Sequence, residues 1–227
     1  MAALQSRAFA DAGWTTLQLD LHGCGDSSGD FSEATWERWV CDVVEACTWL
    51  SAKTGHRPLL WGLRTGCLLA AQAAARTQHT PDLVLWQPVH SGAQYLRQFL
   101  RLKGASELMA QAGQSVTGTK ELRSALARGE TVEIAGYPLT PVLASALEAA
   151  QLELPARRAR VAWFEVRGTG DGELAPMSRE RVRALSNAGH DVTTQVVQGP
   201  AFWHIVEAEA CSALIDSTLA ITRGWQP

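Results

Sequence analysis

The chain has 227 residues, 46% of them hydrophobic and 19% charged, which suits one domain with a sizeable core and excludes disorder or a fibrous repeat. Twenty basic against 23 acidic residues leave a formal charge of −3, so no global basic field gathers nucleic acid or anionic lipid. Nine Trp against five Phe and two Tyr is a skewed aromatic set that points to an indole-lined interior. The five cysteines (Cys24, Cys41, Cys47, Cys67, Cys211) include no C-x-x-C pair and read as free thiols of a reducing cytosol. No signal-like segment or stretch of ~20 apolar residues occurs, so a cytoplasmic protein without a membrane span is expected.

In chain order, residues 1–12 place Leu4, Ala8 and Ala12 at helical spacing before Gly13. Residues 15–21 alternate Leu17, Leu19 and Leu21 and predict a strand, followed by a turn-rich loop with Gly23, Gly25 and Gly29. An amphipathic run over 34–52 predicts a long helix with Trp36, Trp39, Val40, Val43, Val44, Cys47 and Leu50 on one face. Trp36, Trp39 and Trp49 are expected in the core. Residues 58–61 predict a short strand, 62–66 a tight turn, and 65–76 an Ala-rich helix. A strand at 83–86 closes at Pro88.

From 92 to 151 the pattern is helical, with breaks expected at Gly104, Gly113, Gly118 and Gly129, an extended piece at 132–135 and a helix from Pro141. Strands follow at 160–166 and 193–197 around a helix over 177–188, and a last helix is expected over about 205–221. Strands alternating with helices imply an α/β fold with a parallel sheet wrapped on both faces. The stretch 92–151 interrupts the alternation and reads as an inserted helical cap within a single domain spanning 1–227.

Three stretches carry candidate chemistry. The first is Asp20-Leu21-His22-Gly23-Cys24-Gly25-Asp26-Ser27. The second is Gly62-Leu63-Arg64-Thr65-Gly66, a strand-to-helix turn with glycines two positions either side of its centre. The third joins Gly168-Thr169-Gly170-Asp171 after one strand to His204 after the last strand. This order resembles the α/β-hydrolase family, with the D-x-x-G-x-G-x-S loop, the G-x-S-x-G elbow, and the succession of nucleophile, acid and histidine.

The resemblance implies catalytic roles for Asp171 and His204. Each also has a structural reading, Asp171 as a turn residue and His204 as a helix-start residue. Glu173 is the nearest substitute acid. The elbow centre is Arg64, whose guanidinium stays protonated and cannot attack an acyl carbon. Thr65 lacks flanking glycines, Cys67 would face the core, and Ser27, Ser28 and Cys24 belong to the glycine loop. Arg64 has two readings: it binds an anionic carboxylate or phosphate at a helix N-terminus, or it pairs internally with Asp171. Trp203, beside His204, is the expected pocket wall. His56, His79, His90 and His190 form no spaced set with Asp or Glu, so neither metal nor cofactor is expected.

Closer matches are Gly23-Cys24-Gly25-Asp26-Ser27-Ser28-Gly29-Asp30-Phe31 with Trp36, Leu60-Trp61-Gly62-Leu63-Arg64, Val84-Leu85-Trp86-Gln87-Pro88-Val89 with Gln98-Phe99-Leu100-Arg101, and Gly199-Pro200-Ala201-Phe202-Trp203. These are similar to the exosortase A system-associated hydrolase 2 family, encoded with bacterial exopolysaccharide and exosortase genes. The likeness implies a hydrolase or acyltransferase for an ester or thioester. The chemistry of Arg64 points instead to a non-catalytic protein holding an anionic or acyl small molecule or a partner. In α/β-hydrolases a third strand and an oxyanion-hole loop precede the helix matching 1–12. Their absence here implies a late start relative to that fold, or direct pairing of 15–21 with 58–61. Unpaired interior strand edges cost buried hydrogen bonds, which favours the first.

Overall fold

The structure is a computed structural model that describes residues 1–110, 118–168, 172–203 and 210–225, with the backbone alone over 102–110. Its central feature is a four-stranded parallel sheet of β1 (Leu59–Leu63), β2 (Asp82–Trp86), β5 (Arg160–Arg167) and β6 (Asp191–Gln198), in the order β1-β2-β5-β6. Each strand coincides with a stretch read as a strand in the sequence. All five residues of β2 are buried, which requires cover on both faces of the sheet.

One face carries Val84, Trp86, Ala162, Phe164 and Val166 in a core cluster completed by Val197, Cys211 and Leu214. The alternate residues Leu83, Leu85, Val161 and Trp163 are wholly buried on the other. Burying large side chains of this kind contributes roughly 2 kcal/mol or more each. Helix α3 (Thr65–Arg76) packs on β1 and β2, and its small buried residues Cys67, Ala70, Ala71, Ala73 and Ala74 permit that close approach. Helix α8 (Ser212–Thr222) covers β5 and β6, α7 (Pro176–Asn187) packs on β6, and α1 (Ala2–Asp11) lies against α8. The indole N–H of Trp86 donates to Thr218 Oγ1 at 3.0 Å, and that hydroxyl donates to Leu214 O at 2.7 Å. This buried indole of the sheet is thereby satisfied from α8.

The chain divides into two compact units, Met1–Leu19 with Val43–Pro88 and Glu153–Pro227, and Asp20–Asp42 with Val89–Leu152. The second holds α4 (Gly92–Ala110), α5 (Thr119–Ala127), α6 (Pro141–Ala149) and a hairpin of β3 (Val132–Ile134) with β4 (Tyr137–Leu139). Thr140 caps α6 through its hydroxyl, 3.2 Å from the Leu143 N–H, and Pro141 fills the first turn. Helix α2 (Trp36–Thr54) runs through both units in sequence.

Several expectations need correction. No strand forms over 15–21: among the described residues no strand pairs with it, and Leu17 and Leu19 are 44% and 39% exposed. Direct pairing with β1 is therefore not what the chain does. Gly104 lies inside α4 and does not end it, since an isolated glycine costs only about 1 kcal/mol in a helix. Gly113 lies outside the described residues. The extended piece near 132 is half of a hairpin whose other strand, containing Pro138, gave no strand signal. Trp49 is 56% exposed, whereas Trp36 is buried as expected. The last helix begins at Ser212, and the expected start at 205 lies outside the described residues. Among the described residues no helix is long and apolar enough to cross a membrane.

Candidate active site

Because β1, β2, β5 and β6 run parallel, the segments after them gather at one end of the sheet, where ligands bind in open α/β folds. Arg64 lies between the last residue of β1 and the first of α3, with φ 55° and ψ −117°. This is a conformation that a residue with a Cβ adopts only at a cost of about 1–3 kcal/mol. The turn is fixed by Arg64 N–H donating to Trp86 O at 3.0 Å and Cys67 N–H donating to Arg64 O at 3.1 Å.

The flanking glycines are not equivalent. A Cβ on Gly62 would stand 2.6 Å from Gly66 O and 2.8 Å from Cys67 N, so glycine is required there. A Cβ on Gly66 would meet nothing within 4 Å, so the expected steric demand at that position is absent.

The Arg64 guanidinium carbon lies 5.6 Å from the centroid of the Trp203 ring, a cation–π contact that brings two expected site residues together. Trp203 ends an aromatic series, in edge-on contact with Phe202 (5.1 Å), which meets Trp86 (6.2 Å), which meets Trp61 (4.7 Å). Asp171 and His204 lie outside the described residues. Glu173, the substitute acid, is exposed and ion-paired with Arg179 at 3.1 Å on α7.

The alternative nucleophiles are disposed of by their surroundings. Cys67 is fully buried, its thiol donates to Gly62 O at 3.2 Å and Trp86 O at 3.6 Å, and burial pushes its pKa far up despite the Arg64 charge. Ser27 donates its hydroxyl to Asp20 O at 2.6 Å. Burial first, and then the carboxylates of Asp20 and Asp42, raise the Cys24 thiol above its ordinary value. Among the described residues no group of three or more His, Cys, Asp or Glu is arranged to hold a metal ion.

Two residues that shape this end were not anticipated. Gln87, just past β2, has φ 44°; its N–H donates to Phe164 O at 2.7 Å and its Oε1 accepts from Val166 N–H at 2.6 Å. Glu165, 4% exposed, accepts at Oε2 from Arg167 Nη2 and from Ala175 N–H, both at 3.0 Å. Together with Gln198 Nε2, which donates to Gly168 O at 3.2 Å, it braces the two ends of the loop after β5. The sequence signal was present only as a charged residue within a buried strand.

No family model matches the chain, and no curated protein matches it. Among solved structures it is similar to a highly thermostable carboxyl esterase from Bacillus coagulans in complex with glycerol, at 14% identity and TM-score 0.63 over 98% of this chain and 84% of that one. It is also similar to DcsB in complex with its substrate analogue, at 15% identity and TM-score 0.60 over 99% and 85%. A structure from the metagenome-derived lipolytic enzymes LipS and LipT matches at 16% identity and TM-score 0.55 over 98% and 87%. The chain has the α/β-hydrolase fold, a mostly parallel sheet flanked by helices.

Proposed function

We propose that the chain is an esterase- or thioesterase-like α/β-hydrolase of a bacterial exopolysaccharide and exosortase system, cytoplasmic and akin to the exosortase A system-associated hydrolase 2 family, with Arg64 in the nucleophile's position. The observation that carries this reading is the elbow itself. The backbone strain of a nucleophile turn is kept at Arg64, and a cation is kept beside the positive end of α3, at a further cost of up to about 1 kcal/mol. A residue that repays both costs by holding an acyl carbonyl or carboxylate oxygen accounts for them.

Turnover on this reading passes through water and not through an acyl-enzyme. Water attacks the acyl carbon and gives its proton to His204, oriented by Asp171; Arg64 carries the oxyanion; the ester or thioester bond breaks; and the leaving group takes the proton from His204. A second reading, binding of an anionic ligand without turnover, is favoured by the same contact of Arg64 with Trp203, a cation and an apolar wall in one place.

A serine-directed fluorophosphonate probe, applied beside a p-nitrophenyl ester and an acyl thioester, tests both. The expected result is no covalent labelling, with ester or thioester turnover lost in His204→Ala. Saturable acyl-carboxylate binding lost in Arg64→Gln, without turnover, establishes the second reading. Stoichiometric labelling of the wild-type chain overturns both. Arg64→Ser alone is expected to gain no strong esterase activity.

A further inference from the structure

The opposite end of the same sheet holds a cluster that the elbow chemistry does not use. Asp82, 4% exposed at the start of β2, accepts at Oδ2 from Arg57 Nη2 (2.7 Å) and from Arg160 Nε and Nη2 (2.9 and 2.6 Å). Its Oδ1 accepts the Arg160 backbone N–H at 2.9 Å. Beside this cluster lies a cavity of about 180 Å³, bordered by Trp14, Pro58, Leu59 and Trp225 as well as by the three charged residues.

Two guanidinium groups face one carboxylate, so the cavity carries a net charge of +1. The two arginines are not equivalent. Arg160 is held by several partners: besides Asp82 it reaches Gly224 O at 3.4 Å and Trp225 O at 3.3 Å, and its guanidinium carbon lies 5.1 Å from the Trp225 ring centroid. Arg57 is 43% exposed along its side chain, and among the described residues Asp82 accepts the one hydrogen bond it donates. The rest of its planar fork has the geometry to take a carboxylate bidentately.

We propose that this cavity is a second binding site, for a small monoanion with a flat apolar body, of the aryl carboxylate class. Charge sets the first half of that description, since a monoanion brings +1 to neutrality and a dianion overshoots it. The lining sets the second, because indole, proline and leucine surfaces gain from an apolar ring and lose against a strongly hydrated ion. Size limits the ring to one: the volume lies below the ~300 Å³ at which drug-sized pockets begin.

The test is calorimetric titration of the full chain with sodium benzoate, and with inorganic phosphate at matched ionic strength, in an Arg64→Gln background that removes the elbow's cation. Saturable one-site benzoate binding is expected, weakened about tenfold or more by Arg57→Gln and by Trp14→Ser, with phosphate weaker by a similar factor. Trp14→Ser leaves every bond of Asp82 in place, so it carries the test should Arg57→Gln fail to fold. Absence of saturation in the millimolar range, indifference to both substitutions, or phosphate binding as tightly as benzoate each overturns the proposal. Benzoate that binds the wild-type chain but not Arg64→Gln sits at the elbow; the proposal then falls and the elbow reading stands.

Discussion

The two ends of the sheet use arginine and tryptophan in opposite ways. At the N-terminal end the charges are matched first: Asp82 draws in Arg57 and Arg160, and Trp225 lies against a guanidinium already held by hydrogen bonds. At the C-terminal end the backbone is strained first: Arg64 sits at φ 55°, and its guanidinium meets the ring of Trp203. The first arrangement stabilises the fold and leaves a surplus cation, whereas the second sets a cation on a strained turn. Replacing Asp82 at the first end is therefore expected to destabilise, and replacing Arg64 at the second to stabilise.

The largest expected effect is at the N-terminal end. Asp82→Asn leaves two guanidinium groups around a neutral amide and turns one of its two acceptor oxygens into an NH2 donor facing them, which is expected to cost about 3 kcal/mol in urea unfolding. Arg57→Gln is expected to cost under about 1 kcal/mol, because its side chain is 43% exposed and Arg160 still holds the carboxylate. Equal losses in the two variants would mean that Arg57, and not the buried carboxylate, organises this end.

Next in size comes the elbow's glycine pair. Gly62→Ala drives a Cβ into the backbone at Gly66 and Cys67 and is expected to cost about 2 kcal/mol. Gly66→Ala, in open space within the first turn of α3, is expected to stabilise by about 0.5–1 kcal/mol. Arg64→Gly then separates strain from function. Glycine adopts the turn without penalty and is expected to raise stability by about 1 kcal/mol while abolishing anion binding at the elbow. A loss of stability in Arg64→Gly would show that the guanidinium holds the turn together, and would bring the two ends of the sheet into line.

How far each end was legible in the sequence follows from the same difference. The elbow is local: Gly62, Arg64 and Gly66 lie within five residues, and Trp203 sits in a motif of its own, so both residues were named although their contact was not. The Asp82 cluster is assembled from partners 25 and 78 residues away, with no spacing to mark it. The four strands were legible because β1, β2 and β5 are apolar runs and β6 is rich in β-branched residues. Residues 15–21 have the alternation of a strand, but alternation supplies only a face; a strand also needs a neighbour to take its N–H and C=O groups, and pattern does not provide one. The hairpin was half legible because its turn takes Ala135 and Gly136 to positive φ, 51° and 83°, and alanine gives no sign of that conformation.

The smallest expected effect again concerns the N-terminal end, where side chains stand in for backbone partners. As Asp82 receives the Arg160 N–H, so His190 Nδ1 receives the Ala159 N–H at 3.3 Å, just ahead of β6, whose Asp191 N–H donates back to Ala159 O at 3.0 Å. An imidazole accepting at Nδ1 must be neutral, with its proton on Nε2. Burial holds its pKa below the ordinary histidine value, and no compensating carboxylate contributes to the shift. The unfolded chain therefore binds this proton more readily than the folded one. The contribution of His190 is fully present above about pH 6.5 and is lost as pH falls from there through the depressed folded value. Thermal melts at pH 7 and pH 5 are expected to show a smaller drop in Tm for His190→Gln than for the wild-type chain, with the variant already lower at pH 7. An identical drop in both would show that the acid sensitivity of the chain does not arise at His190.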